Sequence, residues 1–235
     1  APLANISNRT LSEPASTAGN TEFALRLYRR VFKSDVSLYA YRGYWRQPSF
    51  RPDQLPLPTQ LRGFYPRLAV YGASGQRNLG AGLLSVEAGY YDSQDDRRGT
   101  DPAISNSQFR FLVGYQQQIA NEFTLGAQYY AEVLIDYSAY KATLPSGFPV
   151  QDRTRHLLTL RLTKFLKYQT WKLSLFNFYS PSDQDALLIP EVWHAITDRL
   201  SLTVGANVFA GRRPTTFLGQ FDRNDNVYVV LRFDF

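Results

Sequence analysis

The chain has 235 residues, with 26 Lys and Arg against 20 Asp and Glu, a formal charge of +6. It contains 3 Trp, 16 Tyr and 16 Phe but no Cys, which excludes a disulfide framework, a thiolate metal site and a cysteine nucleophile. The longest segment without Asp, Glu, Lys or Arg covers residues 200–211, well short of the roughly 20 apolar residues that a membrane-spanning helix needs.

The chain opens on Ala1 without a basic and apolar leader, so a secretory leader is expected to have been removed, or the chain to be a fragment. Residues 1–20 are rich in Ser, Thr, Asn, Ala and Pro and read as a polar loop. From residue 21 to 235 the apolar residues recur with period two, which predicts strands rather than helices. Phe23, Leu25 and Leu27 alternate with Arg26, Tyr28 and Arg30. Segments 36–45 and 67–74 also read as strands, without a clear facing. Leu84, Val86, Ala88 and Tyr90 alternate with Ser85, Glu87 and Gly89. Phe109, Phe111, Val113 and Tyr115 alternate with Gln108, Arg110, Gly114 and Gln116. The longest run sets Phe123, Leu125, Ala127, Tyr129, Ala131, Val133 and Ile135 against Thr124, Gly126, Gln128, Tyr130, Glu132, Leu134 and Asp136.

Farther along, Leu158, Leu160 and Leu162 alternate with Thr159, Arg161 and Thr163, and Trp171, Leu173 and Leu175 with Lys172 and Ser174. Segment 186–196 contains Pro190 and is expected to be a bent or short strand. Leu200, Leu202, Val204, Ala206 and Val208 alternate with Ser201, Thr203, Gly205 and Asn207, and Val227, Val229, Leu231, Phe233 and Phe235 with Asn226, Tyr228, Arg232 and Asp234. Short turns are expected at 32–35, 75–78, 120–122, 166–169 and 197–199, and longer polar loops at 47–64, 92–106, 137–153 and 212–225. The 180–185 connection is short where the series calls for a long one. About eleven strands joined by alternating short turns and long loops predict an all-β fold, a transmembrane antiparallel meander β-barrel.

Aromatic residues cluster where strands meet connections: Tyr39, Tyr41, Tyr44 and Trp45; Tyr90 and Tyr91; Tyr129 and Tyr130; Phe176, Phe178 and Tyr179; Phe233 and Phe235. Amphipathic rings suit the headgroup zone, so these are expected to form two girdles. A soluble sandwich or lipocalin-like barrel, with its apolar face buried, is the competing fold.

The last ten residues, Asn226-Val-Tyr-Val-Val-Leu-Arg-Phe-Asp-Phe235, resemble the terminal strand of Gram-negative outer-membrane proteins. That resemblance implies residence in the bacterial outer membrane. It also implies that Val227, Val229, Leu231, Phe233 and Phe235 form a lipid-facing signal read by the barrel-assembly machinery. The runs Tyr39-Ala-Tyr-Arg-Gly-Tyr-Trp45 and Gly219-Gln-Phe-Asp-Arg-Asn-Asp-Asn226 give the chain a resemblance to the barrel region of porins related to alginate-export channels. Counted back from Phe235, the strand over 22–31 runs inward. Because bacterial barrels have an even number of strands, either residues 3–11 hide a twelfth strand or the chain is the carboxy-terminal part of a larger barrel.

If the apolar set faces lipid, the alternate set lines a lumen. It carries Arg26, Arg30, Arg110, Arg161, Lys172 and Arg232 against Glu87, Glu132 and Asp136, with Gln116, Gln128 and Asn207 between them. A hydrated interior with a positive excess suits a porin-like channel passing small hydrophilic, chiefly anionic, solutes, and paired Arg donors suit sugar acids. The alternative is a structural or scaffold barrel, plugged by its own side chains or enclosing a partner protein, for which Tyr28, Tyr130, Tyr228 and Phe209 provide inward bulk. An outer-membrane hydrolase ranks third, since neither His156 nor His194 has a serine two positions away. Asp92, Asp95, Asp96 and Asp101 read first as a solvated loop and second as calcium ligands. The expectation is of no enzyme activity, no cofactor, no metal and no nucleic acid. Outer-membrane lipid, the assembly machinery and small solutes are the expected partners, with an oligomer or a plug as a further one. The +6 charge is spread without a basic run, so nucleic-acid binding has no footprint.

Overall fold

Alternating side chains let one face of a strand be apolar while the other is polar, and the chain uses this throughout. A computed structural model describes residues 6–54 and 58–235. Its strands are β1 (Arg9–Ser12), β2 (Phe23–Val31), β3 (Ser34–Tyr44), β4 (Ser49–Pro52), β5 (Leu61–Phe64), β6 (Arg67–Leu79), β7 (Gly82–Ser93), β8 (Gln108–Ala120) and β9 (Phe123–Leu134). After the helix α1 (Tyr137–Thr143) follow β10 (Thr154–Leu166), β11 (Trp171–Ser180), β12 (Asp185–Ala195), β13 (Leu200–Gly211) and β14 (Asn226–Phe233). Eleven strands form one antiparallel sheet in the order β14-β13-β12-β11-β10-β9-β8-β7-β6-β3-β2. Neither end strand has a second neighbour in that order, so the all-β antiparallel sheet is observed without closure into a barrel. Among the described residues no helix is long and apolar enough to cross a membrane.

The chain divides into two compact units. The first comprises residues 1–75, 87–111 and 132–154. In it β2 and β3 form a hairpin whose two turn residues, Phe32 and Lys33, both take left-handed φ values of 47° and 62°, the geometry that matches strand twist. Apart from the large sheet, β1 pairs in parallel with β5, and β5 pairs antiparallel with β4. Two expectations change here. The 47–64 connection holds a strand pair, and the N-terminal strand joins that pair instead of adding a twelfth member to the large sheet. Residues 3–5 of the proposed hidden strand lie outside the described residues. The 137–153 connection contains α1, which is tied down by Tyr137 Oη donating to the Gln151 carbonyl at 2.9 Å and Gln151 N–H donating to Tyr140 Oη at 3.1 Å. Leu61, Leu68, Ala69, Ile104 and Leu134 are the buried apolar residues of this unit.

The second unit comprises residues 76–86, 112–131 and 155–235. Here β10 to β14 form an uninterrupted meander. The expected turn at 75–78 is displaced: β6 continues through the polar Gln76, Arg77 and Asn78 to Leu79, and the chain reverses at Gly80, φ 59°. Polarity misplaced the turn, whereas the residue without a Cβ marks where left-handed backbone costs nothing. Strand β12 is not short, running eleven residues through Pro190. Its register with β13 skips Ile189 and Pro190, as expected where proline has no N–H to donate.

Candidate functional site: the charged face of the strands

Strand pairing decides which side chains share a face. In the β2–β3 hairpin Leu27 opposes Leu38 and Leu25 opposes Ala40, while Arg26 opposes Tyr39, Tyr28 opposes Ser37 and Arg30 opposes Asp35. The apolar face stays open: Phe23 is 71% exposed and Leu27 59%. On the other face Arg26 Nη2 donates to Ser37 Oγ at 3.1 Å, and its guanidinium lies 5.4 Å from the Tyr28 ring centre and 5.6 Å from that of Tyr39. Arg30 approaches Asp35 at 3.7 Å with both side chains mostly exposed, a pair worth little in water.

Arg110 is held from several sides. Its Nε lies 3.2 Å from Glu132 Oε2 and donates to Gln108 Oε1 at 2.9 Å. The same guanidinium sits 4.1 Å from the Tyr91 ring centre and 5.9 Å from that of Trp45, and Trp45 and Tyr91 stack at 6.1 Å. Trp45 Nε1 donates to Ser93 Oγ at 3.4 Å. Ring faces and a carboxylate therefore hold one cation in a fixed direction. Glu87 is exposed and makes no hydrogen bond or ion pair among the described residues. Asp136, expected on the same face, lies past the end of β9 in a left-handed conformation, φ 53°, where the backbone turns into α1. It belongs to the connection and not to the strand wall.

In the second unit a row of side chains runs Thr163, Ser174, Glu191, Gly205 and Tyr228 across five strands. Glu191 collects Lys172 Nζ at 3.4 Å, Ser174 Oγ at 3.4 Å and Tyr228 Oη at 3.2 Å. Sequence reasoning missed Glu191 because the run Ala186-Leu-Leu-Ile-Pro190 is apolar in both phases and hides the facing of β12. Gln128 accepts a hydrogen bond from Thr159 Oγ1 at 3.2 Å. Arg232 bonds to Asp234 at 2.9 Å, both largely exposed. Arg161 is exposed and has no hydrogen bond, ion pair or ring contact among the described residues.

Four aromatic assignments change. Phe176 and Phe178, expected in a girdle, oppose Arg161 and Thr159 on the polar face. Tyr39 and Tyr91 serve the arginines described above and are likewise not on the apolar face. The apolar face carries instead two aromatic–imidazole pairs. Tyr129 Oη lies 2.7 Å from His156 Nδ1 with the rings stacked at 5.9 Å, and Trp171 stacks on His194 at 4.0 Å. Val227, Val229, Leu231 and Phe233 share one face of β14, opposite Ala206, Val204, Leu202 and Leu200, and the Phe235 ring meets Phe233 edge-on at 5.5 Å.

The acidic loop is built from protein donors. Asp95 accepts from Arg67 N–H and Nε, both at 2.7 Å, Asp96 from Asp101 N–H at 2.7 Å, Asp92 from Arg97 at 3.3 Å, and Asp101 from Arg51 and from Ala103 N–H at 3.0 Å. Among the described residues no three His, Asp or Glu side chains are grouped to bind a metal. Comparison of the chain with protein-family models, with curated proteins and with solved structures returned no match.

Proposed function

We propose that this chain forms the wall of a bacterial outer-membrane β-barrel, a porin-like channel through which small hydrophilic, chiefly anionic, solutes diffuse. The observation that carries the reading is the two-faced sheet. In each unit one strand face exposes Val, Leu and Phe, with Leu25 at 55% in the first and Val227 at 75% in the second, while the other holds Arg, Lys, Glu, Thr and Ser in hydrogen-bonded sets. Continuous apolar surface of that kind is unfavourable in water and favourable against lipid. Strands of 10–13 residues such as β6 to β11 match the roughly 9–11 tilted residues that cross a bilayer. Hydrocarbon also forbids unpaired strand edges, so β2 and β14 must each gain a neighbour. An even-stranded barrel therefore takes at least one strand beyond these eleven.

The scaffold reading keeps one specific support. Tyr228 lies over Gly205 on the polar face, and the Phe221 ring from the 212–225 connection lies 5.6 Å from that of Phe209, which narrows any opening. Reconstitution in planar bilayers separates the two. A channel gives discrete conductance steps with anions favoured over cations. Absence of conductance from protein that still shows heat-modifiable gel mobility refutes the channel and leaves the scaffold.

A further inference from the structure

The polar face of β10 to β13 contains an apolar island. Phe176 opposes Ile189, Phe178 opposes Leu187, and Leu187 opposes Phe209. These five side chains are half-buried and lie on the same face as Lys172, Ser174 and Glu191. One side of the island is bordered by Arg161, directly across from Phe176, and by Thr159, across from Phe178. Below it Glu191 is already matched by Lys172, Ser174 and Tyr228. Of the basic residues expected to line a lumen, Arg26 is engaged with Ser37, Arg110 with Glu132, Lys172 with Glu191 and Arg232 with Asp234. Arg161 alone among them is uncommitted within the described residues.

We propose that Arg161 and this island form a solute-selecting subsite for carboxylates with an apolar body, such as aryl-alkyl acids, in preference to sugar acids. The inference rests on the channel reading for the solute's route, and it deepens that reading by naming the solute class. The guanidinium presents paired donors that match a carboxylate, with the Thr163 hydroxyl two residues away along the strand. From β10 to β12 is two strand spacings, about 10 Å. An acid whose apolar body extends through most of that span from its carboxylate thus covers Phe176, reaches Ile189 and removes their surface from water. A sugar acid satisfies the arginine equally but leaves its hydroxyls over hydrocarbon, where they lose water without gaining partners.

The test uses the full chain in lipid nanodiscs and in planar bilayers, with 3-phenylpropionate, glucuronate and the neutral 3-phenylpropanol as probes. Saturation-transfer NMR in nanodiscs, with empty nanodiscs as the blank, measures binding without requiring conductance. The expected result is half-saturation by 3-phenylpropionate at concentrations about tenfold or more below those of both other probes. Arg161→Gln should abolish its advantage over the alcohol, and Ile189→Thr its advantage over glucuronate, in protein that keeps its heat-modifiable mobility. Equal binding of 3-phenylpropionate and glucuronate, or an unchanged preference in Arg161→Gln, overturns the subsite even if the channel conducts. Selective binding by protein that passes no current keeps the subsite and refutes the channel.

Discussion

Replacing Gly205 by alanine puts a methyl group where the Tyr228 ring lies. A Cβ at position 205 would stand 2.4 Å from both Cζ and Oη of Tyr228 and 3.0 Å from Cε1, whereas carbon atoms rest about 3.5–4.0 Å apart. The ring must therefore swing by roughly 1 Å or more, which pulls Oη away from Glu191 Oε2, now 3.2 Å distant. A hydrogen bond to a carboxylate contributes about 1.5–3 kcal/mol where water is excluded. This face is half-wet, so its loss together with the crowding should destabilise the fold by about 2 kcal/mol. Denaturant unfolding in detergent micelles, followed by Trp fluorescence and by gel mobility, measures the cost. In a Tyr228→Ala background the same methyl meets no ring, so its cost should fall to nearly nothing. The double-mutant cycle isolates that coupling. An equal penalty for Gly205→Ala with and without the Tyr228 ring would refute the packing argument.

Glu132→Gln weakens the hold on Arg110 without removing bulk, and should cost about 1–2 kcal/mol. Arg110→Ala should additionally lower the anion preference of the reconstituted channel, read as a shifted reversal potential. Asp185 is 1% exposed and its Oδ2 accepts the N–H groups of Leu218, at 2.9 Å, and Gly219, at 3.3 Å. Asp185→Ala should therefore release the 212–225 connection, seen as faster tryptic cleavage after Arg212 and Arg223, with slower unfolding steps elsewhere unchanged. Asp53 is held at a pKa of about 2 by Thr59 Oγ1 and by the N–H groups of Gln60 and Thr59, below the ordinary ~3.9 of an aspartate. A depressed folded-state pKa means that the carboxylate orders its loop above about pH 4 and loses that effect as pH falls toward 2. Carbon-13 titration of the Asp53 carboxyl should show the low midpoint, and a midpoint near 4 would contradict those bonds.

Period-two alternation was enough to identify the strands and, for most of them, which residues share a face. Leu158 to Leu162 against Arg161, and Val204 to Val208 against Gly205 and Asn207, needed only the pleat, which sends successive side chains to opposite sides. The phase of Lys172 and Ser174 already placed Phe176 and Phe178 on the polar face. Aromatic character alone suggests a girdle, but phase decides the facing. The pairings of Arg110 with Glu132 and of Lys172 with Glu191 were not legible, because they depend on cross-strand register, which adjacent turns and the Pro190 gap set together. The facing of β12 was hidden by a segment apolar on both sides, and only its neighbours β11 and β13 determine it. The turn at Gly80, the strand pair in 47–64 and the helix in 137–153 were missed for a related reason. Local polarity marks where a chain can leave a sheet, whereas hydrogen bonds supplied by distant segments decide whether it does.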